Sequence, residues 1–517
     1  MGVVLAIDAG TTGVRTVAID ASVAKRAYAY REFPQHFPQP GWVEHDPLDI
    51  RDAALDTLAD VVRDLDDEPV VCIGITNQRE TVVVWDRDTG EPLHRALVWQ
   101  DRRTAARCTE LRDAGLEPLV RTTTGLVLDP YFSATKLEWL LRAGERGGGV
   151  AVSPSLAFGT VDSWLLWCLT REHATEPSNA ARTMLFDIDT LDWSDQLCAV
   201  FGVPRSCLPE VRPSSGRFGI TDPDRAAGLR VPVSGIAGDQ QAALFGQACF
   251  APGMSKNTYG TGSFVLVNLG ASHPDPVDGL LTTVAWQLGS EVTYAMEGSI
   301  FVTGAAIQWL RDGLGLIESS AEAGPLAESV PDTGGAVFVP ALAGLGSPWW
   351  DPYARGAILG LTRGTTRAHL VRAAVEAMAW QTADVVDAIC AATDHAITEL
   401  RVDGGASAMD VLCQFQADAL GVTVRRPVVQ ETTVLGAAYL AGLAEGVWSS
   451  PAEAAAAWQE EAAFTPQPMT DRDARRAQWH RGVARARAWA DDAPDTPDAP
   501  DTPDTPDTPD APDTPDD

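Results

Sequence analysis

Basic residues are scarce in this chain: 39 Lys and Arg stand against 71 Asp and Glu, a formal net charge of -32 over 517 residues. A nucleic acid or an anionic membrane surface needs a basic patch, so neither is an expected partner. Part of the imbalance is local, because Asp491 onward holds 11 acidic residues and no Lys or Arg. The rest of the chain is acidic all the same. Paired cysteines are also missing: the eight, from Cys72 to Cys413, are scattered without a C-x-x-C spacing. That excludes a disulfide framework and a zinc site, and leaves reduced structural thiols, as in a cytoplasmic protein. No apolar run nears the roughly 20 residues that cross a bilayer, so no membrane insertion is expected. The apolar N-terminus lacks a basic region and a cleavage site, and Ala6 stands where N-myristoylation needs Ser or Thr; it reads as a first strand.

What is present is a globular composition, 45% hydrophobic and 21% charged, in a chain too long for one ordinary core. Two large domains are expected, residues 1–248 and 249–488, with a cleft between them and the change-over near residues 245–252. Apolar spacing predicts helices over 48–65, 370–391 and 408–420, and strands within 3–20 and 70–86. Residues 144–149 are predicted to form an exposed loop, and a turn over 432–436 to lead into another helix. Residues 489–517 form a tail in which Asp-Thr-Pro and Asp-Ala-Pro triplets recur. Proline at every third position blocks helix and sheet, and the Asp charges repel, so an extended, disordered segment is predicted there.

Three glycine turns and one carboxylate carry the chemistry. Ile7-Asp8-Ala9-Gly10-Thr11-Thr12-Gly13-Val14-Arg15 lies between apolar runs and reads as a β-hairpin. Gly10 and Gly13 let a ligand approach the backbone, and Thr11 and Thr12 supply hydroxyls. Asp8, at the strand end, is placed to hold Mg²⁺ largely through waters, and Arg15 can neutralise phosphate charge. The loop is neither a Walker A motif, lacking Gly-Lys-Ser/Thr, nor a dinucleotide fingerprint. About 250 residues on, Asn257-Thr258-Tyr259-Gly260-Thr261-Gly262-Ser263-Phe264 repeats strand, glycine turn and strand, which suggests a duplicated architecture. Leu400-Arg401-Val402-Asp403-Gly404-Gly405 runs into a helix through a Gly-Gly turn on which a flat base can lie. Ahead of the second loop, Gly235-Ile236-Ala237-Gly238-Asp239-Gln240-Gln241 presents Asp239 at the start of a buried helix. That is a position for a general base, followed by two carboxamides able to bond hydroxyls. Taken alone, the same segment reads equally well as an Asp N-cap.

In this order the loops resemble the superfamily of actin, sugar kinases and heat-shock chaperones. The detail resembles one family in it, the carbohydrate kinases typified by glycerol kinase. The resemblance spans about residues 3–488. It is carried by Pro40-Gly41-Trp42-Val43-Glu44-His45-Asp46-Pro47, Gly74-Ile75-Thr76-Asn77-Gln78-Arg79-Glu80-Thr81, Val98-Trp99-Gln100-Asp101-Arg102-Arg103, Asp129-Pro130-Tyr131-Phe132-Ser133 and Trp350-Asp351-Pro352-Tyr353-Ala354-Arg355-Gly356. It implies an α/β fold of two actin-like (ribonuclease H-like) domains. It also implies transfer of the γ-phosphoryl group of ATP, with Mg²⁺, to glycerol in glycerol catabolism. Xylulose, ribulose or erythritol is the alternative acceptor, and homodimers or homotetramers are the expected assemblies. By the same resemblance Asp239 is the base, and Arg79, Glu80, Trp99, Tyr131, Asp239, Gln240 and Phe264 surround the polyol. Thr11, Thr12, Gly13, Arg15, Thr261, Gly304, Gln308, Gly405 and Met409 surround the nucleotide, and Asp8 and Asp239 organise the metal. Gly13 replaces a Ser of many relatives, and Met409 an Asn, so nucleotide affinity is expected to be tuned. The stretch 224–230 keeps Arg230 but lacks most of the glycines of a sugar-bisphosphate loop, and no phosphorylatable His stands nearby. Neither control is expected.

Overall fold

The computed structural model describes residues 2–66, 68–144, 147–393 and 396–490. The Asp-Thr-Pro repeats and the middle of the predicted loop at 144–149 lie outside the described residues. Strand β1 (Val3–Ala9) is buried along its whole length, with helices on both faces, which is why it reads as an unbroken apolar run. It turns through Gly10–Gly13 into antiparallel β2 (Gly13–Ile19), and β3 (Lys25–Glu32) continues the meander. Helix α1 (Pro47–Asp64) starts where Asp46 accepts the Leu48 N–H at 2.9 Å and Pro47 occupies the first turn. It buries Ile50, Ala54, Leu58 and Val61 against the sheet, a 3.6-residue stripe. β4 (Val70–Asn77) then lies parallel to β1. The antiparallel pair β5 (Ser215–Ile220) and β6 (Pro232–Gly238) sets β6 parallel to β4.

The second half repeats this plan. β7 (Met254–Tyr259) and β8 (Ser263–Gly270) form the hairpin, and β9 (Leu281–Leu288) and β10 (Glu291–Ile300) follow, with β10 against β8. β11 (Glu399–Asp403) lies parallel to β7, β12 (Thr423–Pro427) parallel to β11, and β13 (Glu460–Phe464) closes the edge. One thirteen-stranded sheet results, in the order β13-β12-β11-β7-β8-β10-β9-β5-β6-β4-β1-β2-β3. The halves meet where Ser215 of β5 pairs with Leu288 of β9.

The helices that matter below are α2 (Asp239–Gly246), α3 (Gly304–Asp312), α4 (Arg367–Ala392), α5 (Asp410–Leu420) and α6 (Thr432–Ala444). The predicted turn at 432–436 is in fact the first turns of α6, which begins at Thr432 itself. Its glycine is not a loop signal. Gly436 lies where α6 crosses α2, and a Cβ there would stand 1.8 Å from the Ala242 carbonyl oxygen. Reciprocally, a Cβ on Gly246 would stand 1.9 Å from the Thr432 carbonyl. The two helices that follow β6 and β12 therefore touch backbone to backbone, at the centre of the molecule. All eight cysteines are free. Among the described residues no helix is long and apolar enough to cross a membrane.

Gly436→Ala should therefore destabilise the fold by about 1–3 kcal/mol through overpacking, read as a lower urea midpoint. Gly216→Ala, at a position with no heavy atom within 4 Å, should shift that midpoint far less.

Candidate active site

Strand β6 delivers Asp239 as the first residue of α2, with Gly238 as the N-cap and no side-chain cap. The Asp239 Oδ1 accepts the Gln240 N–H of the first turn at 2.7 Å. The Gly238 N–H donates to Ser178 Oγ at 3.0 Å, and that hydroxyl donates in turn to Glu176. Glu176 is fully buried and also accepts from the amides of Ser178 and Asn179 and from Ser214 Oγ, at 2.7–2.8 Å. This polar cluster fixes the backbone behind Asp239, whose side chain remains 31% exposed. Burial raises the Asp239 pKa above its ordinary 3.8; Arg79 and Lys256 oppose the rise, and Asp8 adds to it. A carboxylate with a raised pKa holds a proton more readily, a property that suits proton transfer.

Arg79 and Glu80 follow β4 directly and are buried. Their adjacency does not make a surface ion pair; the two side chains are 3.8 Å apart and each has a stronger partner. Arg79 donates to both oxygens of Glu297, at 2.6 and 3.0 Å, and to Gln241 Oε1 at 3.1 Å, while its Nε lies 3.3 Å from Asp239. Arg182 donates to Glu80 at 2.6 Å and to Glu297 at 3.0 Å. Glu297 comes from β10 in the other half, so the pair of guanidiniums ties the halves together at the floor of the cleft. Burial alone would raise the Glu297 pKa, but Arg182 and Arg79 overcome it and hold the group down at about 2. Glu80 sits at φ +60 with the Thr81 N–H reaching back to the Arg79 carbonyl at 2.7 Å, a γ-turn of the left-handed kind. Such a conformation costs on the order of 1–3 kcal/mol and collects at functional sites. Here the Ser133 hydroxyl holds it by donating to the Glu80 carbonyl at 2.9 Å.

Aromatic rings wall this floor. Trp99 meets Tyr131 edge to face at 5.6 Å, and Phe264 lies under the Arg79 guanidinium at 5.6 Å. The Trp99 indole N–H donates to Thr11 Oγ1 at 3.0 Å, which ties the wall to the first loop.

In that loop every carbonyl is turned inward. Gly10 O accepts from Gln78 Nε2 (3.0 Å), Thr11 O from Gln35 Nε2 (3.0 Å), Thr12 O from Phe33 N (3.2 Å) and Gly13 O from Gly10 N (2.9 Å). His45 joins the two glutamines: its Nδ1 accepts from Gln78 and its Nε2–H donates to Gln35. Burial, with His36 nearby, pushes its pKa down to about 3, so the ring is neutral and its tautomer fixed. With the carbonyls engaged, and no hydrogen bond on the Thr11 or Thr12 amide among the described residues, these N–H groups are the turn's available donors. The second loop is built alike. The Gly260 carbonyl accepts from Gly304 N (3.0 Å) and Thr261 O from Thr303 N (2.9 Å) and Ala305 N (3.0 Å). A Cβ on Gly304 would stand 2.5 Å from the Gly260 oxygen, so glycine is needed there.

The sequence-predicted residues fall into two groups. Thr11 is linked to Trp99 and Trp99 to Tyr131, and Arg79 lies by Glu80, Asp239 and Phe264; Asp8 is paired to Arg15 at 3.0 Å, Thr12 and Gly13 belong to the same loop as Thr11, and Gln240 follows Asp239. Thr261, Gly304, exposed Gln308 one turn along α3, Gly405 and Met409 gather on the other half. Gly404, at φ +83, brings the third loop against the Tyr259 carbonyl of the second. Gly405 has open space before it, and Met409 leans on Gly324. Gln241 differs from expectation: its amide is consumed by Arg79 and by Thr283 at 3.3 Å and cannot serve a ligand. Glu297, Arg182 and Lys256 were not foreseen. Lys256 is buried in β7 and donates to Gln240 Oε1 and, at 2.9 Å, to Thr258 Oγ1. For Glu297 the available signal was a lone carboxylate in the mostly apolar second half of its strand, which is costly to bury unless paired; Lys256 stands in the polar run Met254–Tyr259 and Arg182 outside any strand, and neither carried that signal.

The FGGY family of carbohydrate kinases matches the chain twice, its N-terminal domain over residues 3–246 and its C-terminal domain over 255–445. Glycerol kinase of Carboxydothermus hydrogenoformans is 53% identical over 493 residues, spanning 94% of this chain and 98% of that protein. Glycerol kinase 2 of Thermotoga maritima is 50% identical over 494 residues, spanning 95% and 99%. The crystal structure of Plasmodium falciparum glycerol kinase with ADP matches with a TM-score of 0.88 at 34% identity, covering 94% of this chain and 98% of that one.

The buried cluster makes a stability prediction. Glu297→Gln should destabilise the fold by about 3–5 kcal/mol near neutral pH, because two buried guanidiniums lose their shared carboxylate. The folded pKa lies below the ordinary 4.5, so the wild-type advantage is complete above that value. It should vanish as pH falls towards about 2, in denaturation curves recorded across that range.

Proposed function

The chain belongs to the FGGY family of carbohydrate kinases, and we propose that it transfers the γ-phosphoryl group of ATP to a terminal hydroxyl of glycerol, giving sn-glycerol 3-phosphate and ADP. The observation that carries this reading is Asp239. Its carboxylate has a raised pKa and stands 3.3 Å from Arg79, whose guanidinium lies over the Phe264 ring. The names of the relatives, alike over nearly the whole chain, support glycerol as the acceptor.

In the proposed complex Arg79 donates to the polyol hydroxyls, Glu80 accepts from them, and Trp99, Tyr131 and Phe264 enclose the carbon chain. Gln240 presents its amide N–H₂, since Lys256 holds its oxygen. A floor of buried polar groups rejects acceptors that leave those groups unpaired. Asp239 takes the proton of the attacking hydroxyl as the new O–P bond forms. The available amides of Thr11 and Thr12, with Arg15, hold one end of the triphosphate, and Thr261 and Gly304 the other. Gln308, Gly405 and Met409 lie toward the base. We take residues 1–248 and 249–488 as the two closing halves.

Mg²⁺ fits these residues. The Asp8 charge raises the Asp239 pKa, so the two carboxylates act on one another's region of the site, and no group of three metal-ligating side chains occurs among the described residues. Mg²⁺ is commonly held in that way, by one or two carboxylates plus phosphate oxygens and water. Asp8 and Asp239 would hold it, and it would supply charge neutralisation on the transferred phosphoryl group.

The test is ADP release from purified protein and Mg-ATP, with glycerol and, separately, with xylulose, ribulose and erythritol. Strong stimulation by glycerol alone is expected, reduced about 10²- to 10⁴-fold in Asp239→Asn. Preference for another acceptor would overturn the assignment of glycerol. A second expectation concerns Lys256, whose pKa burial pushes down to about 8, against the pull of Asp403 and Asp239. The charge beside Gln240 is then lost as pH rises through that value in the free enzyme. The kcat/KM for Mg-ATP should fall above about pH 8, and Lys256→Met should lack this limb.

A further inference from the structure

We propose that Tyr30 belongs to the nucleotide site, its phenol hydroxyl donating to the terminal phosphate of a bound nucleoside triphosphate above Gly13. This rests on the phosphotransfer reading above and adds to it a binding residue on the edge strand. Tyr30 of β3 lies opposite Arg15 of β2, which lies opposite Asp8 of β1. Directly opposed residues share a face of the sheet, so Asp8, Arg15 and Tyr30 form one row across three strands. Gly13, two residues before Arg15, is on that same face.

The ring leans along the strand toward the first loop. A Cβ placed on Gly13 would stand 2.6 Å from Tyr30 Oη and 2.8 Å from Tyr30 Cε2. The phenol thus occupies the space a side chain at position 13 would fill, and glycine is what makes room for it. The hydroxyl has no hydrogen-bond partner among the described residues, and the side chain is 37% exposed. A ring packed on the Gly13 backbone with its O–H left free adds a donor to a turn whose Thr11 and Thr12 amides have no partner among the described residues.

The connections of the loop identify which phosphate it meets. Thr11 is bonded to Trp99, and Trp99 packs on Tyr131. The first hairpin therefore adjoins the acceptor pocket, and the phosphate reaching it is the one nearest the acceptor, the γ-phosphate.

Binding of ATP and of ADP, measured by calorimetry without any acceptor, tests this separately from the reaction. Tyr30→Phe keeps the ring and removes only the hydroxyl; a charge-assisted hydrogen bond is worth roughly 1.5–3 kcal/mol. We expect ATP affinity to fall at least tenfold, ADP affinity to change less than twofold, and the thermal midpoint to stay at the wild-type value. Tyr30→Gln, which restores a donor at shorter reach, should recover part of the loss. Unchanged ATP affinity in Tyr30→Phe, or an equal loss for ATP and ADP, would overturn the assignment. Should glycerol fail to stimulate the wild-type protein while Tyr30→Phe still loses ATP selectively, the acceptor assignment fails and this one stands.

Discussion

The bidentate contact between Arg79 and Glu297 is the constraint on which the cleft depends. It joins the residue that follows β4 to the middle of β10, across the two halves, with no solvent exposure at Glu297 and almost none at Arg79. Two such charges are held only with good geometry and full hydrogen bonding. Arg182 donates to Glu297, Gln241 accepts from Arg79, and Glu80 accepts from Arg182 in turn. The result is a guanidinium whose Nε faces Asp239 in a fixed direction. Charge at the cleft floor is thereby set before any ligand arrives, as electrostatic preorganisation requires.

The phosphate loops solve a related problem. A glycine-rich turn that bared both its amides and its carbonyls would have no preference for an anion. In both hairpins the carbonyls are engaged from behind, by Gln78, Gln35 and the Phe33 amide in one and by residues 303–305 in the other. What is left available is then mostly N–H. The neutral His45 between the two glutamines makes the first arrangement one connected network, and such networks specify a single geometry when fully satisfied. Repetition of the same device in both halves follows from the repeated strand order, and the glycine contacts of α2 and α6 keep the two copies close.

Much of this was legible in the sequence. The hairpins around Gly10–Gly13 and Gly260–Gly262 were visible as apolar runs broken by glycine, because strand period and turn chemistry are local. Asp239 was visible for the same reason, as a carboxylate between a glycine turn and a buried helix. What escaped was non-local. Glu297 and Lys256 sit inside strands, and their worth depends on partners up to 218 residues distant. Gly436 looked like a turn because its requirement comes from another helix, and Gly13 looked like the loss of a hydroxyl because Tyr30 is on a different strand. Arg79 and Glu80 read as neighbours in sequence, whereas each is defined by a partner elsewhere in the fold.

The central claim is that Asp239 activates a glycerol hydroxyl as the nucleophile towards the γ-phosphorus. The most direct measurement is ³¹P NMR of the product formed from Mg-ATP and glycerol labelled with ¹⁸O at its terminal hydroxyls. The account predicts one phosphomonoester with the label in its bridging oxygen, formed by the wild-type protein and not by Asp239→Asn on the same timescale. Inorganic phosphate as the main product, or labelled ester formed equally well without the Asp239 carboxylate, would contradict it.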